Sequence, residues 1–405
     1  MLNRDEPRSA SCIATSDEGV DCAMISFEDY DRVVSTNAFS DALKDEFEQR
    51  DKGTFSDAKL SDLEVLRELG FGSYGNVFLV RHSVTGRVCA VKEMSIEKVQ
   101  ATNNGIYIER ERSLILSLRH PFIVKVLGQF ISPTHVYLAL DAILGGELLH
   151  AINTNYDVIS KSTSVRFYVA QVVEIFSYLH RSHIAYRDLK PENLLIGKDG
   201  YLTMIDFSVA KKTKGECFTL IGTPEYTAPE VYRMTGHSTS CDWWSLGVLM
   251  HELSVGEPPF QGNNTIEIME AIAEYERLYP DSVYFRDEAD DLNKITVASE
   301  KMVKGLLCPK PYNRLGSSSH NNIEDIMSHP FFNGFNWRSL RAKTMNPPFI
   351  PHIGSKYDGQ NFDYENGDNN NQKESVETNY RSLGNDLEVD KDCLPKWAQN
   401  YVKKA

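Results

Sequence analysis

Tyr186-Arg187-Asp188-Leu189-Lys190-Pro191-Glu192-Asn193 is the densest chemistry in this sequence of 405 residues. A carboxylate, an ammonium and an amide fall close together on a Pro-containing loop. Such a set suits the orienting of a hydroxyl nucleophile, the neutralising of a moving phosphate and the holding of a metal. Groups of this kind gather on loops held by a rigid scaffold. A solvated polar turn explains any one of them and explains the set poorly.

Downstream, the apolar run Leu202-Thr203-Met204-Ile205 leads into Asp206-Phe207-Ser208. An Asp at a strand end suits a hard cation such as Mg²⁺, which takes few protein oxygens and completes its shell with phosphate oxygens. A strand-ending turn Asp is the plain alternative. Upstream, Ala90-Val91-Lys92 puts a Lys on an apolar strand, which alone reads as an edge-strand Lys kept in water. Glu111, on the helical stretch that follows, is placed to hold it. Farther upstream is Gly70-Phe71-Gly72-Ser73-Tyr74-Gly75-Asn76-Val77. Gly-x-Gly-x-x-Gly is a weak signal by itself, since dinucleotide folds use it as well. Here Val77-Phe78-Leu79-Val80 continues as strand instead of opening a helix, which favours a hairpin that covers phosphates.

The wider composition narrows the class. Fifty-seven Asp plus Glu against 43 Lys plus Arg leave a formal charge of −14, with no dense basic block. The expectation is no nucleic-acid partner. No apolar run reaches the roughly 18 residues of a membrane span, so no membrane partner is expected either. The seven Cys contain no Cys-x-x-Cys pair, which points to a reducing compartment and away from a disulfide framework. The cytoplasm is the expected location, with nuclear entry open.

Texture divides the chain. Residues 1–35 read as a disordered acidic leader. Within 36–62, Phe39, Leu43 and Phe47 form one stripe of an amphipathic docking helix, followed by a linker. Residues 63–140 are strand-like, with a hairpin at Thr85-Gly86 and one helix over 107–118. A connector over 141–146 leads to a helical region over 147–334. The last part, 335–405, is irregular, Pro-rich and then Asn-rich near 367–372.

Taken in order, the Gly-rich loop, Ala-Val-Lys, helix Glu, Tyr-Arg-Asp-Leu-Lys-Pro-Glu-Asn, Asp-Phe-Ser and Ala228-Pro229-Glu230 resemble the eukaryotic protein kinase signature. Several features make the chain most similar to the AGC group, and within it to the cAMP-dependent type. They are Tyr186, Gly222-Thr223-Pro224-Glu225-Tyr226, Asp242-Trp243-Trp244, His329-Pro330-Phe331-Phe332 and Pro347-Pro348-Phe349-Ile350-Pro351. The resemblance implies an α+β, bilobal kinase fold. A small antiparallel-sheet lobe, a hinge and a larger helical lobe are followed by an AGC-type C-terminal tail. It implies transfer of the ATP γ-phosphate to Ser or Thr.

The same resemblance implies roles. Lys92, tied by Glu111, contacts the α- and β-phosphates; Asp188 receives or orients the hydroxyl proton; Lys190 neutralises the moving phosphoryl group; Asn193 and Asp206 hold Mg²⁺. Gly70, Gly72, Ser73, Tyr74, Gly75, Val77, Ala90, gatekeeper Leu140, Asp141, Ala142, Ile143, Glu147 and Phe362 surround ATP. Thr219 takes an activating phosphate, with Arg187 and Lys211 as partners, and Glu230 pairs with Arg314. Glu147, Glu192 and Glu252 receive substrate Arg side chains, and Leu220 and Pro224 line the pocket after the acceptor. Protein substrates with basic residues before the acceptor are the implied partners. Too few residues precede 60 for a cyclic-nucleotide-binding barrel, so a separate regulatory subunit is the expected control. A cGMP-dependent-type kinase, a constitutive AGC kinase and a kinase-like nucleotide-binding scaffold are the alternatives.

Departures are few. Ser208 replaces Gly, Tyr107 replaces a His that would hold the Thr219 phosphate from the small lobe, and Thr227 replaces Leu. The acidic run Asp287-Glu288-Ala289-Asp290-Asp291 reads as a solvated loop. The terminal Phe-x-x-Phe is missing, and two readings stay open: Trp397 and Tyr401 dock in its place, or the tail is loose.

Overall fold

Alternation of burial along β3 (Val88–Ser95) decides how the small lobe is built. Cys89 and Val91 are buried on one side, while Ala90 and Lys92 point to the other, as the two-residue period of a strand requires. In this computed structural model β3 pairs antiparallel with β2 (Gly75–His82) and with β5 (His135–Asp141). β1 (Leu63–Gly72) pairs with β2, and β4 (Val126–Ile131) closes the far edge on β5. The register sets Val77 opposite Lys92, and Ala90 opposite both Leu79 and Leu140. Directly paired residues share a face, so Val77, Ala90, Lys92 and Leu140 look out on the same side. Between β2 and β3, Gly86 adopts φ +66°, a left-handed conformation that suits glycine.

The structure describes residues 58–401 apart from 73–74, 103, 214, 279–295, 318–322, 356, 358, 363–380 and 384–393. The expected leader, the Phe39/Leu43/Phe47 helix, Ser73 and Tyr74, the acidic run at 287–291 and the Asn-rich stretch lie outside the described residues. Of the 36–62 segment, a short 3₁₀ turn at Leu60–Asp62 is described.

After β3, α1 (Ile96–Ala101) is capped by the Ser95 hydroxyl on the Lys98 N–H. α2 (Gly105–Ser117) buries Ile108, Glu111 and Ile115. The large lobe begins with α3 (Leu148–Thr154) and α4 (Ser162–Arg181). Short strands β6 (Ile184–Ala185), β7 (Leu194–Ile196), β8 (Leu202–Met204) and β9 (Lys211–Lys212) pair as β6–β9 and β7–β8. α5 (Ser240–Val255) is buried nearly all round, as expected of a helix at the centre of a core. It packs on α4 and on α7 (Val297–Leu306), and α6 (Thr265–Leu278) precedes the latter.

The described parts of the tail pack on the two lobes. Pro351 lies against Gly145, and Asn361 Nδ2 donates to the Leu144 carbonyl at 3.0 Å. A two-residue strand, β10 (Arg381–Ser382), adds to the outer edge of β1, making the sheet six-stranded in the order β10-β1-β2-β3-β5-β4. Leu394, Ala398 and Tyr401 then complete a cluster with Met94, Ile96, Val99, Ile108 and Val136. Trp397 lies over Gly105 so closely that a Cβ there would meet its Cδ1 at 2.2 Å. Of the two readings left open for the tail, the structure adopts docking. Gly105→Val is therefore expected to displace the indole at a cost of about 1–3 kcal/mol. Limited proteolysis should cut its tail faster than the parent's, and equal rates would count against the contact.

Candidate active site

Lys92 Nζ donates to Glu111 Oε1 at 2.6 Å, joining β3 to α2 across the small lobe. The pair is charge-assisted and short, and it holds the ammonium extended. The tail supports the same helix from behind. Tyr401 is 1% exposed, and the Arg112 guanidinium, next to Glu111, lies 5.2 Å from its ring centre. Arg112 Nη1 also donates to Gln129 Oε1 on β4, so α2 is fixed from two sides.

The loop over residues 186–193 is held by a buried carboxylate. Asp242, at the start of α5, accepts from the Tyr186 N–H at 2.9 Å, the Arg187 N–H at 2.8 Å and His180 Nε2 at 2.8 Å. Arg187 has φ +70°, a conformation that costs a non-glycine residue about 1–3 kcal/mol and needs this support. Sequence reading noted Asp242 only as part of a motif. A lone Asp at the start of an apolar helix gives no local sign of what it holds.

Within the loop, Asn193 Nδ2 donates to the Asp188 carbonyl and to Asp188 Oδ2, at 2.8 and 3.0 Å. Those bonds orient the amide and turn its oxygen away from Asp188. Lys190 Nζ stands 3.9 Å from Asp188 Oδ2. Asp188 Oδ1 accepts from both the N–H and the hydroxyl of Thr223, at 3.1 and 2.8 Å. That cross-link from loop to downstream segment was not anticipated from sequence, since Thr223 reads there only as a motif position.

Asp206 follows β8, with Oδ1 accepting from the Ser208 N–H at 2.8 Å. Burial works to raise its pKa, but Lys92, the Ser208 bonds and Lys190 outweigh this and hold it below the usual carboxylate value. The structure thus brings Lys92, Glu111, Asp188, Lys190, Asn193 and Asp206 into one cluster, with two cations facing three carboxylates. Among the described non-glycine residues, positive φ occurs at His183, Arg187, Met234 and Lys343. Ser208 is outside that set, so its side chain stands there without left-handed strain.

Other expected positions divide into nearby groups. The Asp141 N–H donates to Lys125 O, and its carboxylate pairs with Arg87 at 3.1 Å. Ile143 follows on the connector, and Phe362 ends the turn whose Asn361 is tied to Leu144. Glu147 stands at the N-terminal boundary of α3, which packs on the turn that carries Glu192. Glu252 is buried and accepts from Tyr226 OH at 2.5 Å, and Glu192 Oε2 is buried without a partner among the described residues. Burial and the nearby Glu192 and Glu225 charges push the Glu252 pKa up to about 7, against the Tyr226 bond. Leu220 is exposed, Thr227 Oγ1 donates to Thr223 O, and Tyr232 OH donates to Pro224 O. Thr219 is exposed, while Arg187 Nε and Nη2 donate to the Val209 carbonyl. Arg314 and Glu230 form a bidentate pair at 2.7 and 2.9 Å, both buried.

Comparison with known proteins agrees with this arrangement. The protein kinase domain family matches residues 63–332. A cGMP-dependent protein kinase of Drosophila melanogaster is 36% identical over 376 residues, covering 89% of this chain and 38% of that one. A Caenorhabditis elegans protein described as cAMP-dependent protein kinase, catalytic subunit-like, is 34% identical over 304 residues, covering 75% of this chain and 73% of that one. A cGMP-dependent protein kinase of Toxoplasma gondii is 35% identical over 350 residues, with 86% and 33% covered. The chain spans only 38% and 33% of the length of the two cGMP-dependent relatives. With a bilobal fold, a matching domain over most of its length and relatives of both cyclic-nucleotide-dependent types, the chain belongs to the protein kinase family and to its AGC group.

Proposed function

We propose that this chain is a serine/threonine kinase that transfers the γ-phosphate of ATP to hydroxyls preceded by Arg. The carrying observation is the Lys92–Glu111 pair, with Asp206 kept ionised by Lys92 on one side of the cleft and Lys190 on the other. Lys92 positions phosphate oxygens, and Asp188, fixed by Thr223 and Asn193, orients the incoming hydroxyl and receives its proton. Lys190 offsets charge on the moving group. Val77, Ala90 and Leu140, on one face of the sheet, line the adenine side, with the Asp141–Ile143 connector and Phe362 at its border.

Among the described residues no cluster of three or more His, Cys, Asp or Glu is built to hold a metal ion. Asp206 and the oriented Asn193 oxygen are hard donors of the kind Mg²⁺ accepts when phosphates complete its shell. When bound, Mg²⁺ neutralises phosphate charge. No helix among the described residues is long and apolar enough to cross a membrane, and cytoplasmic residence is part of this proposal.

Glu192 and Glu252 support a preference for Arg. A buried carboxylate, Glu252, and a half-buried one, Glu192, with one buried and unpartnered oxygen among the described residues, suit guanidinium forks. The form of Glu252 that binds Arg is the ionised one, and its pKa stands near 7. KM for an Arg-containing peptide is therefore expected to rise up to tenfold per pH unit below 7 and to be flat above it. Glu252→Gln should abolish the slope, and a slope retained in that variant would rule the assignment out.

Control by a separate cyclic-nucleotide-binding chain of the cAMP type is the first regulatory reading. Control by cGMP is the second, favoured by the greater share of this chain that the cGMP-dependent relatives cover. The deciding experiment is transfer of labelled phosphate from Mg-ATP to an Arg-Arg-x-Ser peptide. Asp206→Ala and a peptide with both Arg changed to Ala run beside it. Transfer lost in both controls supports the proposal. Nucleotide binding without any transfer, even with Thr219 phosphorylated, would replace it with the scaffold reading.

A further inference from the structure

A buried side chain, His237, and a half-buried one, Arg187, neither used by the cleft, line one small cavity. His237 is 2% exposed, and neither ring nitrogen has a partner among the described residues. Arg187 Nη1 is also buried and unpartnered, since Nε and Nη2 are both directed at Val209 O. Both side chains line a cavity of about 10 Å³, together with Ile221, Thr227, Cys241 and Ser245. Buried polar atoms left unpaired are rare in folded proteins and call for a cause. A space of this size admits about one water and no larger group, so any larger ligand sits at its mouth.

The segment from Cys217 to Ile221 is held at both ends beside this cavity. Cys217 and His237 exchange both backbone hydrogen bonds, at 2.8 and 2.9 Å, and Ile221 is part of the cavity wall. Thr219 lies midway along that arc and is exposed. Along an antiparallel pair a residue two beyond a bridged position lies about 7–8 Å from the partner. Thr219 is two beyond Cys217 but past an isolated bridge, so that figure gives only the scale of the gap a phosphate would have to span.

The charges that face His237 favour an anion. Arg187 and Lys211 are the cations, and Glu230 and Asp242 are the acids. Glu230 is already bound by Arg314, and Asp242 by His180 and two backbone N–H groups. What remains uncompensated is positive. Burial first, and then Arg187 and Lys211, hold the His237 pKa below its ordinary value. A dianion at the mouth reverses that balance.

We propose that His237 is the third cationic arm, beside Arg187 and Lys211, of the site that receives a phosphate on Thr219. It serves in place of the small-lobe residue that Tyr107 replaces. The inference rests on the reading of Thr219 as a modified residue and deepens it: the phosphate is held wholly by the large lobe, in a pH-dependent way. Phosphorylation adds about −1.5 to −2 charge and raises the proton affinity of His237. Its contribution to ordering residues 208–230 is present below the His237 pKa of the phosphorylated form. It is lost as pH rises through that value.

The test uses the full chain, deuterated and carrying ¹³C-labelled His, with phosphothreonine built in at 219 or with unmodified Thr. The His237 ring resonance is identified by its loss in His237→Gln and titrated in both forms. The expected result is a pKa at least one unit higher in the phosphorylated form, a tenfold gain in proton affinity. Hydrogen exchange across 208–230 in the phosphorylated protein should quicken as pH passes that value, after correction for intrinsic rates. In phosphorylated His237→Gln that step should be absent. An unmoved His237 pKa overturns the proposal, and so does an identical step in the variant. The wild-type titration stands even where the variant folds poorly. Neither readout needs phosphate transfer, so an unmoved pKa in a protein that phosphorylates the Arg peptide refutes this inference alone. A shifted pKa in a protein without transfer refutes the kinase proposal alone.

Discussion

Asp188→Asn is expected to slow phosphate transfer to peptide by about 10²–10⁴-fold, the usual contribution of a positioned acid–base group. Asn keeps the shape of the side chain, so the loss is one of chemistry and orientation. Oδ1 accepts two bonds from Thr223, and Oδ2 accepts one from Asn193 and faces Lys190. A carboxylate satisfies all of these together. An amide has one acceptor end, so in either orientation its NH₂ meets donors. Nucleotide affinity is expected to stay close to that of the parent, because Lys92, Glu111 and Asp206 are untouched. Steady-state transfer and a fluorescent-nucleotide titration on the same preparation separate the two effects. Equal losses in both would assign Asp188 to nucleotide binding and refute the role given to it.

Arg314→Ala carries the largest expected loss of stability, about 3–5 kcal/mol, as found when one member of a buried ion pair is removed. Arg314 is 0% exposed; it pairs bidentately with Glu230, donates to the Cys308 and Ser240 carbonyls, and lies 5.3 Å from the Trp244 ring centre. Truncation leaves the Glu230 carboxylate buried without its partner. At roughly 2–4 °C per kcal/mol for a chain region of this size, the melting midpoint should drop by about 10 °C. Glu230→Gln combined with Arg314→Met should recover part of the loss, because no lone charge remains. Scanning calorimetry of the single and double variants checks these statements, and no recovery in the double variant would argue against the uncompensated charge.

The residues legible from sequence are those whose chemistry is local. Glycines before Val77, Lys92 on its strand, Asp188 to Asn193 on one loop and Asp206 after an apolar run each carry a short-range signature. The order of those signatures identifies the fold. What escaped reading depends on distant partners. Asp242 holds the Arg187 backbone from another helix, Thr223 ties Asp188 from the following segment, and Gly105 makes room for an indole near the end of the chain. None of these has a pattern of its own, since a residue that serves a distant neighbour looks ordinary among its own. The tail shows the same limit: Trp397 and Tyr401 are compatible with either reading until the apolar surface between α1, α2 and β5 is seen to lack a cover.

That cover has a consequence for the order in which the protein is made. Strands β1 to β5 leave the ribosome first, yet the small-lobe core gains Leu394, Ala398 and Tyr401 only at the end of the described chain. The large lobe, all of it made in between, can assemble as a unit while the nascent small lobe still shows an open apolar seam. Closing that seam joins segments separated by roughly 300 residues, the kind of non-local contact that folds slowly. A nascent chain therefore exposes a surface for chaperones throughout the synthesis of its large lobe, and α2 is braced for work only after translation has passed Tyr401.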